Sequence, residues 1–253
     1  MRLNENIAVS TRKILLVPYD AHHVPRYHEW MEDTAIREAT ASERLTLDEE
    51  YENQTSWREA SDKLTFIACE PSSFDSHQHL ATEHEGAVIA GDADEPARMV
   101  GDINLFLTPW EDEDEEAHEK GKGKAEAYCS AEVDIMIADA KHRGKGLGRA
   151  AVAAFLLFIR KNLDAILAEY ADADTGVSST PVLKDLVAKI NADNTGSIAL
   201  FKSLGFTQRG GVNYFGEIQM VLEGFEKEEA AWTAAVGSDG YKELIYDRSR
   251  LKV

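Results

Sequence analysis

A glycine-rich segment holds the residues with the clearest chemical signal. It lies between a predicted strand and a predicted helix and reads Arg143, Gly144, Lys145, Gly146, Leu147, Gly148 and Arg149. Glycines let the backbone adopt positive φ and approach a ligand closely. A loop in front of a helix also gathers free N–H groups at the positive end of the helix dipole. Together with the three basic side chains, these features predict a site for a phosphate or a pyrophosphate.

Three phosphate-binding patterns compete for this loop. A Walker A loop needs G-x-x-x-x-G-K-[ST], a string that the chain lacks. A Rossmann loop needs G-x-G-x-x-G after the first strand of a βαβ unit, whereas the glycines here are spaced G-x-G-x-G. The pattern R-x-x-G-x-G is met by Arg143, Gly146 and Gly148. An ordinary tight turn is the non-functional alternative, and the combined strand, arginine, glycines and helix favour a phosphate loop over it.

Acidic side chains alternate along the strand that precedes the loop. Glu132 and Asp134 are separated by apolar residues, so a half-buried strand would place both carboxylates on one face. Asp102 and Asn104 lie on the strand expected beside it. These residues are candidates for a general base acting directly or through water. The alternative, that they bind an amine electrostatically or only line a cleft, stays open.

The histidines and cysteines give weaker evidence for a functional site than the loop and the acidic strand do. His22, His23 and His28 fall on a predicted helix without i, i+4 spacing and a third ligand, so surface histidines and no metal site are expected. Cys69 and Cys129 form neither a disulfide framework nor a C-x-x-C motif. Cys129 has no evident base partner, which argues against an acyl-enzyme intermediate.

Composition limits the possible partners and the location. The net charge of −19 should repel nucleic acid and anionic membranes, so neither is expected as a partner. The N-terminus lacks a hydrophobic signal segment. The longest apolar run, 150–159, is too short to span a bilayer. A soluble, cytoplasmic protein is therefore expected, and its 253 residues fit one domain with insertions or a tail.

Hydrophobic periodicity predicts an α/β chain that positions these residues. The predicted strands are 13–19, 64–69, 98–107, 132–137, 183–190, 207–209 and 216–222. The predicted helices are 22–32, 46–60, 148–170, 194–205 and 226–235. One domain should cover 1–222, with loop insertions at about 70–97, 109–129 and 171–182, followed by a helical and charged extension over 223–253. The acidic run at 111–116 should be solvated.

A second motif follows the fifth predicted strand and consists of Asn194, Ser197, Phe201 and the Gly205-Phe206 pair. With the R-x-x-G-x-G loop, it resembles the acetyl-CoA-dependent N-acetyltransferases of the GNAT superfamily. The strings MRLNENI, VPYDAHHVPRYHEWM, ATASE, VGDINLFLT, EVDIMIAD and HRGKGLG look like the eukaryotic N-acetyltransferase 9 family. This resemblance covers roughly residues 1–222, apart from the insertions.

The resemblance implies a GNAT acyl-CoA N-acyltransferase fold, a mixed and strongly twisted seven-stranded sheet flanked by four helices. It implies that the pyrophosphate of acetyl-CoA lies on the loop at 143–149, and that the backbone N–H of Met136 or Ile137 holds the thioester oxygen. Asn194, Ser197 and Phe201 would border the thiol end. Many relatives carry a tyrosine in place of Phe201 that protonates the departing thiolate, so Tyr214 or solvent is expected to replace it here.

The implied function is acetyl transfer to an amine by direct attack. A protein N-terminal α-amine is the expected acceptor, because it titrates near ~7.8 whereas lysine titrates near ~10.4. Family members have been linked to tubulin and microtubules, so tubulin is among the implied partners. Two alternatives stay open, a fold that serves as a microtubule- or protein-binding module and an enzyme that acetylates lysine or a small amine.

Overall fold

The computed structural model of the chain describes residues 1–71, 86–110, 127–172, 180–225, 229–237 and 240–251. Within these ranges the chain forms a ten-stranded mixed sheet. Its strands are β1 Ile7–Ser10, β2 Leu15–Pro18, β3 Lys63–Cys69, β4 Ala87–Ile89, β5 Met99–Pro109, β6 Tyr128–Ile137, β7 Val182–Asn191, β8 Thr207–Arg209, β9 Glu217–Leu222 and β10 Lys242–Asp247. Their order is β4-β10-β1-β2-β3-β5-β6-β7-β9-β8. Much of each predicted insertion, including the acidic run, lies outside the described residues.

Helices cover both faces of the sheet. They are α1 Val24–Met31, α2 Thr34–Ala39, α3 Leu47–Glu59, α4 Leu147–Asp172, α5 Thr195–Lys202 and α6 Glu229–Val236. Residues 46–49 have the S/T-x-x-E pattern of a capping box, and the structure forms it at the start of α3: the Thr46 side chain accepts from Glu49 N–H and the Glu49 carboxylate accepts from Thr46 N–H. None of the described helices combines the length and the apolar character needed to cross a membrane.

Strand alternation divides the interior into two cores. Ile103 and Leu105 of β5 point to the face covered by α4, α5 and α6. Asp102 and Asn104 point to the opposite face, where α1 and α2 pack on the sheet. The acidic strand residues therefore lie on the face away from the long helix α4.

The sheet opens between β6 and β7. These two parallel strands pair only from Tyr128 and Val182 to Glu132 and Val187. Beyond that point β6 continues to Ile137 paired with β5 alone, while β7 continues paired with β9. Because the two strands part, a cleft runs along the last five residues of β6 toward the glycine-rich loop.

The prediction of seven strands and four flanking helices is wrong in number, since the described residues contain ten strands and six α-helices. The missed strands are β1, β4 and β10. The first two have four and three residues, too few for a clear alternating pattern. The third, KELIYD, carries charges at both ends. Such short and polar segments are recognised as strands only through their pairing partners.

The C-terminal segment is packed into the same core as the rest of the chain. Residues 223–253 were predicted to form a helical and charged extension, and α6 confirms the helix. The same segment also supplies β10, which pairs with β1 and β4. Trp232 of α6 is fully buried, and its Nε1 donates to the carbonyl of Leu204 at 3.1 Å. This packing joins α6 to the end of α5.

Replacing Trp232 with alanine should therefore destabilise the whole domain. Loss of a fully buried aromatic side chain costs about 3–5 kcal/mol, and Trp232→Phe should cost about 1–3 kcal/mol because the Leu204 carbonyl loses its donor. Equilibrium denaturant unfolding measures both. Trp57→Ala, at a half-buried position on α3, is the control and should cost less. A Trp232→Ala protein as stable as the wild type would show that α6 is not part of the folded core.

Candidate active site

The glycine-rich loop has the backbone conformation that its glycines predict. Gly144 and Gly146 have φ of +73° and +80°, which L residues rarely adopt. A Cβ on Gly148 would lie 3.1 Å from Leu200 Cδ1, so glycine there allows α4 to pack against α5. Ala150 N–H donates to Gly146 O at 3.1 Å. The N–H groups just before Ala150 are thus those of the first helical turn, which lack intrahelical acceptors.

The side chains of the loop differ in their hydrogen-bond partners and in their burial. The Arg143 guanidinium donates to Ile137 O at 2.9 Å and Ala138 O at 2.8 Å, which fastens the loop to the end of β6. Arg149 Nε donates to Ser203 Oγ at 3.0 Å. Leu147 is buried in the core, whereas Lys145 is exposed. The Arg143 side chain therefore fixes the conformation of the loop, since its guanidinium is hydrogen-bonded to two backbone carbonyls.

The end of β6 presents one of the two predicted backbone donors to the cleft. Ala138 N–H donates to Val100 O at 2.9 Å, and so points toward β5. N–H groups alternate in direction along a strand. The N–H of Met136 therefore also points toward β5. The N–H of Ile137 points the other way, into the gap between β6 and β7.

The predicted acidic residues share one face of the sheet beside this opening. Asp134 on β6 lies directly opposite Asn104 on β5, and Met136 lies opposite Asp102. Glu132 is two residues before Asp134 and so points the same way. The structure thus brings together Glu132, Asp134, Asp102 and Asn104.

Two of these carboxylates already have partners. Glu132 Oε2 accepts from Lys189 Nζ at 2.7 Å across the cleft. Asp102 is buried and accepts from Tyr27 OH at 3.2 Å and from Asn104 Nδ2 at 3.0 Å. Its burial raises the pKa of Asp102 to about 6 despite these hydrogen bonds. The sequence did not point to Tyr27 or Lys189, because both come from elements far away in the chain.

Asp134 differs from both, because its carboxylate makes no hydrogen bond or ion pair with the part of the chain that the structure describes. Its side chain reaches solvent along the cleft. The surrounding protein nevertheless desolvates the carboxylate and, with the charges of Glu132 and Asp102, raises the pKa of Asp134 to about 7. A carboxylate that is half ionised near neutral pH and free of partners is suited to exchanging a proton.

An unused acceptor lies opposite Asp134. Asn104 is buried, and its Oδ1 has no hydrogen-bond partner among the described residues. A buried amide oxygen without a partner costs free energy that a ligand N–H group would recover. Asp134 and Asn104 therefore place two acceptors without partners at directly opposite positions of β6 and β5, the carboxylate exposed and the amide oxygen buried.

The remaining predicted residues lie apart from this pair. Phe201 is buried and packs against Phe206 with ring centroids 4.9 Å apart, so its ring belongs to the core. Asn194 caps α5 by accepting from Ser197 N–H at 3.1 Å. Tyr214 is 97% exposed at the tip of the loop between β8 and β9. Within the described residues, its hydroxyl makes no hydrogen bond that would fix its position.

The expectation of surface histidines is wrong for His23. It is fully buried, and its Nε2 lies 2.9 Å from Asp94 Oδ2, which also contacts His22 Nε2 at 3.2 Å and the Tyr246 hydroxyl. Desolvation alone would raise the pKa of Asp94, but these hydrogen bonds outweigh it and hold that pKa well below its usual range.

This cluster has metal-ligand residue types, with its donor atoms within 4.8 Å of one another. However, His23 Nδ1 accepts from Asp20 N–H at 3.0 Å. The neutral imidazole must then carry its proton on Nε2 and donate it to Asp94. A metal-bound Nε2 would need the opposite tautomer. The arrangement is a hydrogen-bond network that joins the start of α1 to β10.

Comparisons with known proteins agree with this architecture. The acetyltransferase (GNAT) domain family matches residues 13–207. A Drosophila melanogaster protein named alpha/beta-tubulin-N-acetyltransferase 9 is 40% identical over 87% of this chain and 88% of its own length. The Homo sapiens protein of the same name is 36% identical over 90% and 88%. A Dictyostelium discoideum N-acetyltransferase 9-like protein is 33% identical over 97% and 98%.

Solved structures support the fold. A chimeric spermidine N-acetyltransferase from Vibrio cholerae aligns with a TM-score of 0.51 at 15% identity, over 87% of this chain and 98% of its own. A GNAT-family acetyltransferase from Bacillus anthracis aligns with a TM-score of 0.50 at 12% identity, over 85% and 97%. The matched domain, the relatives and the glycine loop beside an open strand pair agree, and the chain therefore belongs to the GNAT N-acetyltransferases, within the N-acetyltransferase 9 family.

Proposed function

We propose that this N-acetyltransferase moves the acetyl group of acetyl-CoA to the α-amine of a protein N-terminus by direct attack. The observation that carries the proposal is the pair of free acceptors, Asp134 and Asn104 Oδ1, on the strand face beside the cleft. An amine has several N–H donors and would satisfy both. The same cleft runs along β6 to the phosphate loop.

The donor end of the reaction relies on backbone groups. The free N–H groups of the first turn of α4 suit a pyrophosphate. Acetyl-CoA would supply the thioester, and Ile137 N–H would stabilise the negative charge that develops on its oxygen. Such a donor is worth about 3 kcal/mol. Arg143 holds both the loop and this strand end in place.

The acceptor end requires a neutral amine. Asp134, with its pKa near 7, can take the proton that the amine loses. An α-amine needs about 3.5 kcal/mol less for deprotonation than lysine, since their pKa values differ by about 2.6 units. Direct attack is supported by the cysteines, because Cys129 is buried and burial raises its pKa to about 11. A thiolate nucleophile is therefore disfavoured there.

A polypeptide acceptor is supported by the loop between β8 and β9. Val212, Tyr214 and Phe215 are 60%, 97% and 77% exposed, an unusual cluster of surface apolar groups. The loop lies at the mouth of the cleft, because Gly216 O accepts from Ala192 N–H just after β7. Residues that follow an acceptor amine would contact this cluster. Since two relatives bear tubulin in their names, we infer that tubulin is the protein substrate, which would place the reaction in the cytoplasm.

A small polyamine is the second candidate acceptor. It is favoured by the negative charge of Glu132, Asp102 and Glu217, all of which act on Asp134. Such a field attracts a polycation as well as a single amine.

A panel of acceptors tests the proposal. Peptides with the N-terminal sequences of α- and β-tubulin should be acetylated with a kcat/KM on the order of 100-fold above that of the same peptides with a blocked α-amine and an internal lysine. Spermidine should also have a lower kcat/KM than the tubulin peptides with a free α-amine. Faster turnover of spermidine would favour the small-amine enzyme. Acetyl-CoA binding without turnover of any acceptor would favour a binding module.

A further inference from the structure

A basic cleft lies beside the phosphate loop, on the side away from Asp134. It has a volume of about 350 Å³ and is bounded by the turn between β1 and β2, the first turn of α4 and the end of α6. Three cationic side chains line it, namely Arg12, Lys13 and Arg149. The other described lining residues are uncharged.

These three cationic side chains form no ion pairs within the described residues, although the protein is rich in carboxylates. The chain has a net charge of −19, yet none of the three forms an ion pair with a carboxylate among residues 1–71, 86–110, 127–172, 180–225, 229–237 and 240–251. Within these ranges, the side-chain partner of Arg149 is a hydroxyl, Ser203 Oγ. A group of unpaired cations in so acidic a protein creates a local site for an anion.

The turn that carries two of the cations is fixed in place. Thr11 is buried, and its Oγ1 accepts from the N–H groups of Lys13 at 3.2 Å and Ile14 at 3.0 Å. Lys13 Nζ lies 3.5 Å from the position that a Cβ on Gly146 would occupy. The lysine thus reaches over the phosphate loop, and the cleft continues directly from it.

We propose that this cleft binds the 3′-phosphate on the ribose of coenzyme A. The inference rests on the proposed use of acetyl-CoA. Coenzyme A carries a pyrophosphate and, one ribose away, a phosphate monoester with a charge of about −1.5 to −2. The loop amides suit the pyrophosphate, and Arg12, Lys13 and Arg149 suit the monoester, since Arg and Lys form strong charge-assisted hydrogen bonds to phosphate. The cleft therefore distinguishes coenzyme A from dephospho-coenzyme A.

Calorimetry with the two ligands tests this assignment at about 0.15 M ionic strength, where charges more than about 8 Å apart are largely screened. The wild-type protein should bind coenzyme A at least tenfold more tightly than dephospho-coenzyme A. Arg12→Ala/Lys13→Ala should bind coenzyme A about tenfold less tightly and dephospho-coenzyme A almost unchanged. Arg44→Ala/Lys184→Ala removes the same charge from other elements and should alter neither affinity.

Any other result of this calorimetry would contradict one of the claims, as follows. Equal wild-type affinity for the two ligands would overturn the 3′-phosphate site and leave the proposed function intact. Equal losses for both ligands in Arg12→Ala/Lys13→Ala, with an unchanged Tm, would show that the cleft acts on the pyrophosphate or on another anion such as an acidic peptide. Failure of the wild-type protein to bind either ligand would contradict the proposed function itself.

Discussion

Replacing Gly146 with glutamate should lower the affinity for acetyl-CoA at least a hundredfold. Gly146 has φ of +80°, so any side chain strains the loop. The glutamate side chain would also start 3.5 Å from Lys13 Nζ. Its carboxylate would place a negative charge where the pyrophosphate is expected and would pair with a cation of the basic cleft. Calorimetry on the folded variant measures the loss.

Two controls separate charge from strain. Gly146→Ala tests strain at the same position and should weaken binding less than glutamate does. Gly86→Glu adds the same charge at another glycine of positive φ, +111°, where no atom of the described residues lies within 4 Å of an added Cβ. Gly86 precedes the edge strand β4, far across the sheet from β6, so affinity should not change. If Gly146→Glu binds acetyl-CoA as the wild type does, the loop is not the pyrophosphate site.

The glycine loop could be predicted because its signal is local. Strand β6, the turn and α4 follow one another within 45 residues, from Tyr128 to Asp172, and each has its own pattern of alternation, glycines or helix formers. Backbone conformation at Gly144 and Gly146 depends on those residues themselves. For the same reason the capping box of α3 was readable from Thr46 and Glu49.

The partners of the site could not be predicted because they depend on tertiary packing. Lys189 reaches Glu132 only because β6 and β7 are neighbours, and Lys13 reaches the loop only because the β1–β2 turn meets α4. On α3, apolar character favours Tyr51 and Trp57 as the buried face, but Tyr51 is exposed and Trp57 is only half-buried. Glu50 and Gln54 are buried instead. Gln54 donates to Tyr19 O at 2.7 Å, a tertiary hydrogen bond that no helical periodicity reveals.

Phe201 shows how packing sets the orientation of one residue of the family motif. The resemblance places this residue at the thiol end of the cofactor, where relatives carry a tyrosine. In this chain the ring is buried against Phe206. A phenylalanine has no hydroxyl to keep near solvent, so packing alone sets its orientation. A role for Phe201 at the thiol end of the cofactor stays a prediction, and its side chain has no hydroxyl to donate a proton there.

Asp134→Asn should lower kcat/KM for N-terminal peptides by roughly tenfold to a thousandfold, the range expected for loss of a general base or of an ion pair with the amine. Affinity for acetyl-CoA should barely change, because the phosphate loop lies beyond the other end of the cleft. Asp164→Asn, which removes one charge from an exposed position of α4, is the matched control. Steady-state kinetics with acetyl-CoA and one peptide give kcat/KM for Asp134→Asn and for the control Asp164→Asn.

The pH dependence separates a proton-transfer role from a structural one. In the wild type, kcat/KM should rise as Asp134 ionises near pH 7. Asp134→Asn should lose this inflection and keep only that of the α-amine, near ~7.8. Glu132→Gln should move the Asp134 inflection to lower pH, because it removes a charge that raises this pKa and releases Lys189, which lowers it.

Stability should change in the opposite direction from activity. The folded pKa of Asp134, about 7, lies above the unfolded value of about 3.9. The ionisation of Asp134 therefore lowers the stability of the folded state as pH rises from about 4 to about 7, and Asp134→Asn should raise the Tm at pH 8 while activity falls. If Glu132→Gln/Asp134→Asn acetylates N-terminal peptides at the wild-type rate, the two carboxylates only line the cleft, and the base lies elsewhere.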